Sequence, residues 1–94
     1  MIEVISAKFK ISSNFDDWVK RFDADLDAQE AAGVTTLFRS RSKEDPKTVL
    51  VALQGEQGVT GKFLEENSSR IKARYSRFYG HVVGTEEVIT SLTS

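Results

Sequence analysis

Hydrophobic positions change period several times along the chain, and each change predicts an element. Residues 2–11 alternate, with Ile5, Ala7, Phe9 and Ile11 on one side and Val4, Ser6, Lys8 and Lys10 on the other, as a half-buried strand does. Ser12, Ser13 and Asn14 then offer capping side chains, and Asp16 and Asp17 come next, where a helix dipole favours carboxylates, so a helix is predicted from about Phe15. Phe15, Trp18, Val19, Phe22 and Leu26 recur at intervals of three and four and form its apolar stripe, while Asp16, Lys20, Asp23 and Asp27 face away. Gly33 is placed to cap its C-terminus.

Alternation returns at residues 34–42, a second strand, with Val34, Thr36 and Phe38 opposed to Leu37, Arg39 and Arg41. The polar run from Ser42 through Asp45 and Pro46 reads as a hairpin loop. Residues 48–54, Thr-Val-Leu-Val-Ala-Leu-Gln, are apolar on both sides: Val49, Val51 and Leu53 point one way, Leu50 and Ala52 the other. Such a strand belongs in the middle of a sheet. Helical spacing resumes at Val59 with Phe63, Leu64 and Ile71, predicting a second helix into the seventies with Gly80 as its stop. Residues 81–89 read as a fourth strand with Gly84 a candidate bulge, and residues 90–94 as a loose tail.

The order is therefore βαββαβ. Short connections and right-handed crossovers make this an α+β, ferredoxin-like domain over residues 1–94, a four-stranded antiparallel sheet with strands one and three central and both helices on one face. The helices can roof only one side. Leu50, Ala52, Val4 and Leu37 are left on the other, where exposure forfeits about 25 cal/mol for each Å² that could be buried. A second copy is the simplest cover, and two sheets face to face form a dimeric α/β barrel with a cleft lined by Ser6, Lys8, Arg39 and Gln54.

At this point the chain resembles the dimeric α/β-barrel superfamily. Phe15-Asp-Asp-Trp18 with Phe22-Asp23, then the Ser42 to Pro46 turn before Val49-Leu-Val51, is similar to a family of small uncharacterised proteins found mainly in marine cyanobacteria and marine environmental samples. The resemblance covers residues 2 to about 66. It implies the fold and the homodimer and carries no activity with it.

Composition narrows the chemistry. The 94 residues contain no cysteine and one histidine, which removes disulfides, thiolate chemistry and a multi-histidine metal cage, so no metal and no cofactor is expected. A net charge of −1 argues against a nucleic-acid surface, and the third strand lacks the aromatics on which an RNA-recognition sheet stacks bases. Gly55, Gly58 and Gly61 do not make a phosphate loop, since they lack the Gly-Lys-Ser/Thr ending. No stretch is long and apolar enough for a membrane span and the start is unlike a secretory signal, so the expected compartment is the cytoplasm.

Charge is unevenly placed: residues 16–30 carry six acids against Lys20 and Arg21, and residues 62–77 five bases against Glu65 and Glu66. Arg70, Lys72, Arg74 and Arg77, interleaved with Tyr75, Phe78 and Tyr79, suit an anionic partner, but cations near a helix C-terminus are also what the dipole favours.

Lys8 and Arg39 could hold a carboxylate or phosphate in the shared interior, or could simply reach water and partner acids. His81 is the candidate catalytic residue, although a lone histidine is more simply structural or solvent-facing. The superfamily resemblance also implies cofactor-free oxygenases and haem-degrading enzymes, some using Asn, Trp and His. Asn14, Trp18 and His81 match those residue types, but a cap and a helix stripe already account for the first two. Two functions are consistent with these residues: a small-molecule-binding homodimer, or a cofactor-independent monooxygenase or isomerase acting in the cavity.

Overall fold

A computed structural model describes residues 1–66, 82 and 84–93. Its elements are β1 (Ile2–Lys10), α1 (Phe15–Asp23), α2 (Leu26–Ala31), β2 (Thr35–Arg41), β3 (Thr48–Glu56), α3 (Val59–Glu66) and β4 (Glu87–Thr93). The sheet order is β2-β3-β1-β4 and every pairing is antiparallel, which is the ferredoxin-like arrangement. β3 is central, as its two-sided apolar sequence requires. Val49, Val51 and Leu53 are buried toward the helices, and on the opposite face Ala52 is buried and Leu50 half-buried.

Local chemistry accounts for the helix boundaries. Asn14 caps α1, its Oδ1 accepting from the Asp17 backbone N–H at 2.8 Å, and Asp16 and Asp17 occupy the first turn. The predicted single helix up to Gly33 is two helices. Asp25 N–H donates to Phe22 O at 3.0 Å, a three-residue closure that tightens the turn between the two helices. The buried line runs on from Trp18 and Phe22 through Asp25 and Gln29, and Leu26 is 37% exposed. Gly33, at φ 81°, ends α2: its N–H reaches Glu30 O and that of Val34 reaches Gln29 O, the paired bonds of a Schellman motif.

The end of the chain also departs from expectation. The fourth strand is Glu87–Thr93, so the predicted loose tail is mostly strand, in unbroken register from Lys8↔Glu87 to Ile2↔Thr93. Val82 precedes the strand because a turn intervenes. Gly84 takes φ 85° and the Thr85 hydroxyl donates to Val82 O at 2.6 Å, which makes Gly84 a turn residue rather than a bulge. The continuation of the second helix past Glu66, Gly80, His81 and the basic-aromatic residues 70–79 lie outside the described residues.

Candidate functional site

Between the sheet and the helices lies a cavity of about 210 Å³. Its floor is Ile5, Ala7, Phe9, Val51 and Leu53 from the two central strands, and its walls are Trp18 and Phe22 of α1 and Phe63 and Leu64 of α3. The aromatic wall reflects the sequence spacing of α1: Trp18 stacks on Phe22 at a centroid distance of 5.2 Å and on Phe15 at 6.0 Å, and meets Phe9 tilted at 5.8 Å. Glu86 and Val88 bound the β4 side, where Val88 is 59% exposed.

Two buried polar residues interrupt this apolar lining. Asp25 and Gln29 stand one turn apart and continue the line of Trp18 and Phe22 at spacings of four, three and four. Gln29 Oε1 accepts from the Thr36 hydroxyl of β2 at 2.6 Å, which ties the short helix to the sheet. Sequence reasoning passed over both residues because it carried the stripe through Leu26. Two polar side chains in line with Trp18 and Phe22 were the signal available.

Ser6, Lys8 and Gln54 project from the opposite, open face of the sheet. Ser6 and Lys8 border a shallower depression there, also of about 210 Å³, with Phe38, Leu50, Glu87 and Ile89. Lys8 Nζ lies 4.0 Å from Glu87 Oε2 in an exposed pair. Gln54 sits farther along the face, paired in register with Val4 and Thr35.

Arg39 does not join them. The register of β2 on β3 shifts between Thr36 and Phe38, so Leu37 is an inserted residue, Phe38 comes opposite Ala52 on the open face, and Arg39 comes opposite Val51 on the helix side. A bulge reverses the alternation on which the open-face placement of Arg39 rested. There the guanidinium grips Asp23 of α1 through two bonds, Nε to Oδ1 at 2.6 Å and Nη2 to Oδ2 at 2.9 Å. This fork holds the Asp23 carboxyl below the usual carboxylate range and raises Arg39 further.

Of the Asn, Trp and His residue types, Asn14 is engaged as the α1 cap and Trp18 lines the helix-side cavity. His81 lies outside the described residues. A third depression, about 450 Å³ and open, combines Asn14, Phe15, Asp16, Arg41, Pro46 and Lys47. Two of its polar groups have structural bonds, Asn14 as the α1 cap and Lys47, whose Nζ donates to the carbonyls of Ser12 and Ser13; beside the depression Asp45 accepts from Lys47 N–H and the Thr48 hydroxyl, bonds that hold its carboxyl below the usual range. Among the described residues no three His, Cys, Asp or Glu side chains are grouped to hold a metal ion, and no helix is long and apolar enough to cross a membrane.

A family model described as a domain of unknown function, DUF3764, matches residues 2–93. No curated protein matches the sequence. Solved structures do match in fold. A conserved protein from Methanosarcina mazei superposes with a TM-score of 0.75 at 9% identity, over 100% of this chain and 94% of that one. A mutant of SnoaB, a cofactor-independent oxygenase from Streptomyces nogalater, gives 0.73 at 9% identity, over 98% and 92% of the two chains. A candidate antibiotic biosynthesis monooxygenase from Caulobacter crescentus gives 0.70 at 13% identity, over 99% and 90%. At these identities the likeness is one of fold.

Proposed function

The chain belongs to the DUF3764 family, a name that assigns no activity, and we propose from its geometry that it binds a small, mostly apolar ligand in the cavity between sheet and helices, as a homodimer joined through its open sheet faces. The observation that carries this reading is the cavity's lining: Phe9, Trp18, Phe22 and Phe63 surround a space suited to about two or three fused rings. The sequence placed the ligand between two sheets. The helix-side cavity is the better host, because it lies between sheet and helices within one chain and is lined by buried aromatics, whereas Phe38 and Ile89 on the open face are 48% and 68% exposed and serve better as contact surface for a second copy.

Trp18 is the only tryptophan and lines the cavity, so its fluorescence reports occupancy directly. A saturable change on titration with bicyclic aromatic compounds is expected, and it should vanish when Ala7→Phe fills the floor without adding a second tryptophan. Absence of any saturable response defeats the ligand reading. Size-exclusion chromatography with light scattering tests the dimer, and a stable species at the 10.5 kDa chain mass at micromolar concentration defeats that part.

A second reading, cofactor-independent monooxygenation, is favoured by the fold shared with SnoaB. Without a cofactor the substrate itself must reduce dioxygen: a CH₂ group gives up two hydrogens, one oxygen atom becomes its carbonyl and the other leaves as water. The assay is oxygen uptake in equimolar step with ketone formation. His81 is the candidate proton acceptor in this reading, and His81→Ala is expected to abolish turnover while leaving the Trp18 titration unchanged.

A further inference from the structure

In an apolar cavity, shape admits a ligand and the few polar groups choose among those that fit. Besides the Trp18 indole N–H, three described lining residues carry such groups, Asp25, Gln29 and Glu86, and no described lining residue is cationic. Among the described lining residues the two charged side chains, Asp25 and Glu86, are both acids, and an uncharged ligand meets them without like-charge repulsion. Gln29 differs from both. It is 4% exposed, and Thr36 Oγ1 donates to its Oε1 at 2.6 Å, which holds the amide in one orientation from the neighbouring strand. The remaining capacity of that amide is the pair of N–H donors on Nε2. A donor held at an apolar wall is costly to bury unless something accepts from it, and that cost becomes selectivity for a ligand bearing an acceptor in the right place.

We infer that Gln29 is the specificity-determining residue of the cavity, and that the ligand class is an uncharged polycyclic carbonyl compound whose oxygen accepts from Gln29 Nε2 while its rings lie among Phe9, Trp18, Phe22 and Phe63. This rests on the ligand-binding reading above and narrows it. Thr36 is a positioning residue, acting through the amide that it orients.

Calorimetric titration of the full-length protein with 1-tetralone and with tetralin, bicyclic probes differing by one carbonyl, separates the inference from its premise. The wild type is expected to bind 1-tetralone about tenfold more tightly, the worth of one good hydrogen bond, and to lower the carbonyl stretching frequency of the bound ketone relative to its value in an alkane. Gln29→Leu should weaken 1-tetralone alone, bring the two affinities together and return the stretch to its alkane value. Thr36→Val keeps a β-branched strand residue and the amide, and should lose part of the preference. Equal affinities in the wild type, or a preference that survives Gln29→Leu, overturn the inference and leave the cavity standing as a binding site. Failure of the wild type to bind either probe overturns the ligand reading and this inference together. Should Gln29→Leu not fold, Thr36→Val decides, and an undiminished preference there overturns the inference.

Discussion

Replacing Gly55 by alanine tests the joint at which β3, the turn after α2 and the first turn of α3 meet. An ideal Cβ on Gly55 would stand 2.6 Å from Thr60 Oγ1 and 3.1 Å from the carbonyl oxygen of Gly33. Neither neighbour can withdraw freely: Thr60 is fully buried, and Gly33 is fixed by the Schellman bonds that end α2. Overpacking of this kind costs about 1–3 kcal/mol, from which about 0.5–1 kcal/mol is returned because alanine narrows the unfolded ensemble. A net loss of about 1–2 kcal/mol is expected, equivalent to a fall in Tm of about 5–15 °C for a domain of this size.

Denaturant melts at one fixed protein concentration measure it, since dimerisation would otherwise enter the midpoint. The partner mutation identifies the cause. Thr60→Ala removes the offending oxygen, so the double variant should be more stable than the sum of the two single changes by about 1 kcal/mol. Thr60→Val keeps the shape and so keeps the clash. Its hydroxyl has no hydrogen-bond partner among the described residues, so this variant alone should be as stable as the wild type. Gly55→Ala as stable as the wild type, or single changes that add without coupling, would refute the reasoning.

Asp23→Asn should cost about 0.5–1 kcal/mol at neutral pH, the worth of a forked pair about one-third exposed. Because the folded-state pKa of Asp23 is depressed, the pair's contribution is present above the unfolded carboxylate value, near 3.9, and is lost as pH falls through the folded value; urea melts of wild type and variant should therefore converge on acidification. Asn14→Ala removes the bond to Asp17 N–H and should lower stability by about 1 kcal/mol, read by the same melts, with Asn14→Ser recovering most of it. Phe38→Asp puts a charge on the proposed dimer face and should halve the mass measured by light scattering without altering the monomer's circular dichroism; an unchanged mass would place the contact elsewhere.

The amino-acid sequence by itself determined the order of the strands and of the helical stretches between them, the central place of β3, the Asn14 cap and the aromatic line of α1, because these depend on periodicity and on bonds between residues a few positions apart. Only the tertiary structure decided where Arg39 and Gln29 point. A single inserted residue at Leu37 reverses the faces of β2 beyond it without a mark in the hydrophobic pattern, and past Phe22 the buried line runs through the polar Asp25 and Gln29 rather than the apolar Leu26, which a hydrophobic stripe passes over. The start of β4 escaped for a related reason: Val82 has strand propensity and its N–H reaches Lys10 O at 3.0 Å, but the positive φ of Gly84 and the Thr85 hydroxyl hold a turn there, and the continuous register with β1 starts at Glu87. Local patterns specify which face a residue takes relative to its neighbours in sequence; which face meets the helices is set by pairing between strands distant in the chain, where a shift of one residue exchanges inside for outside.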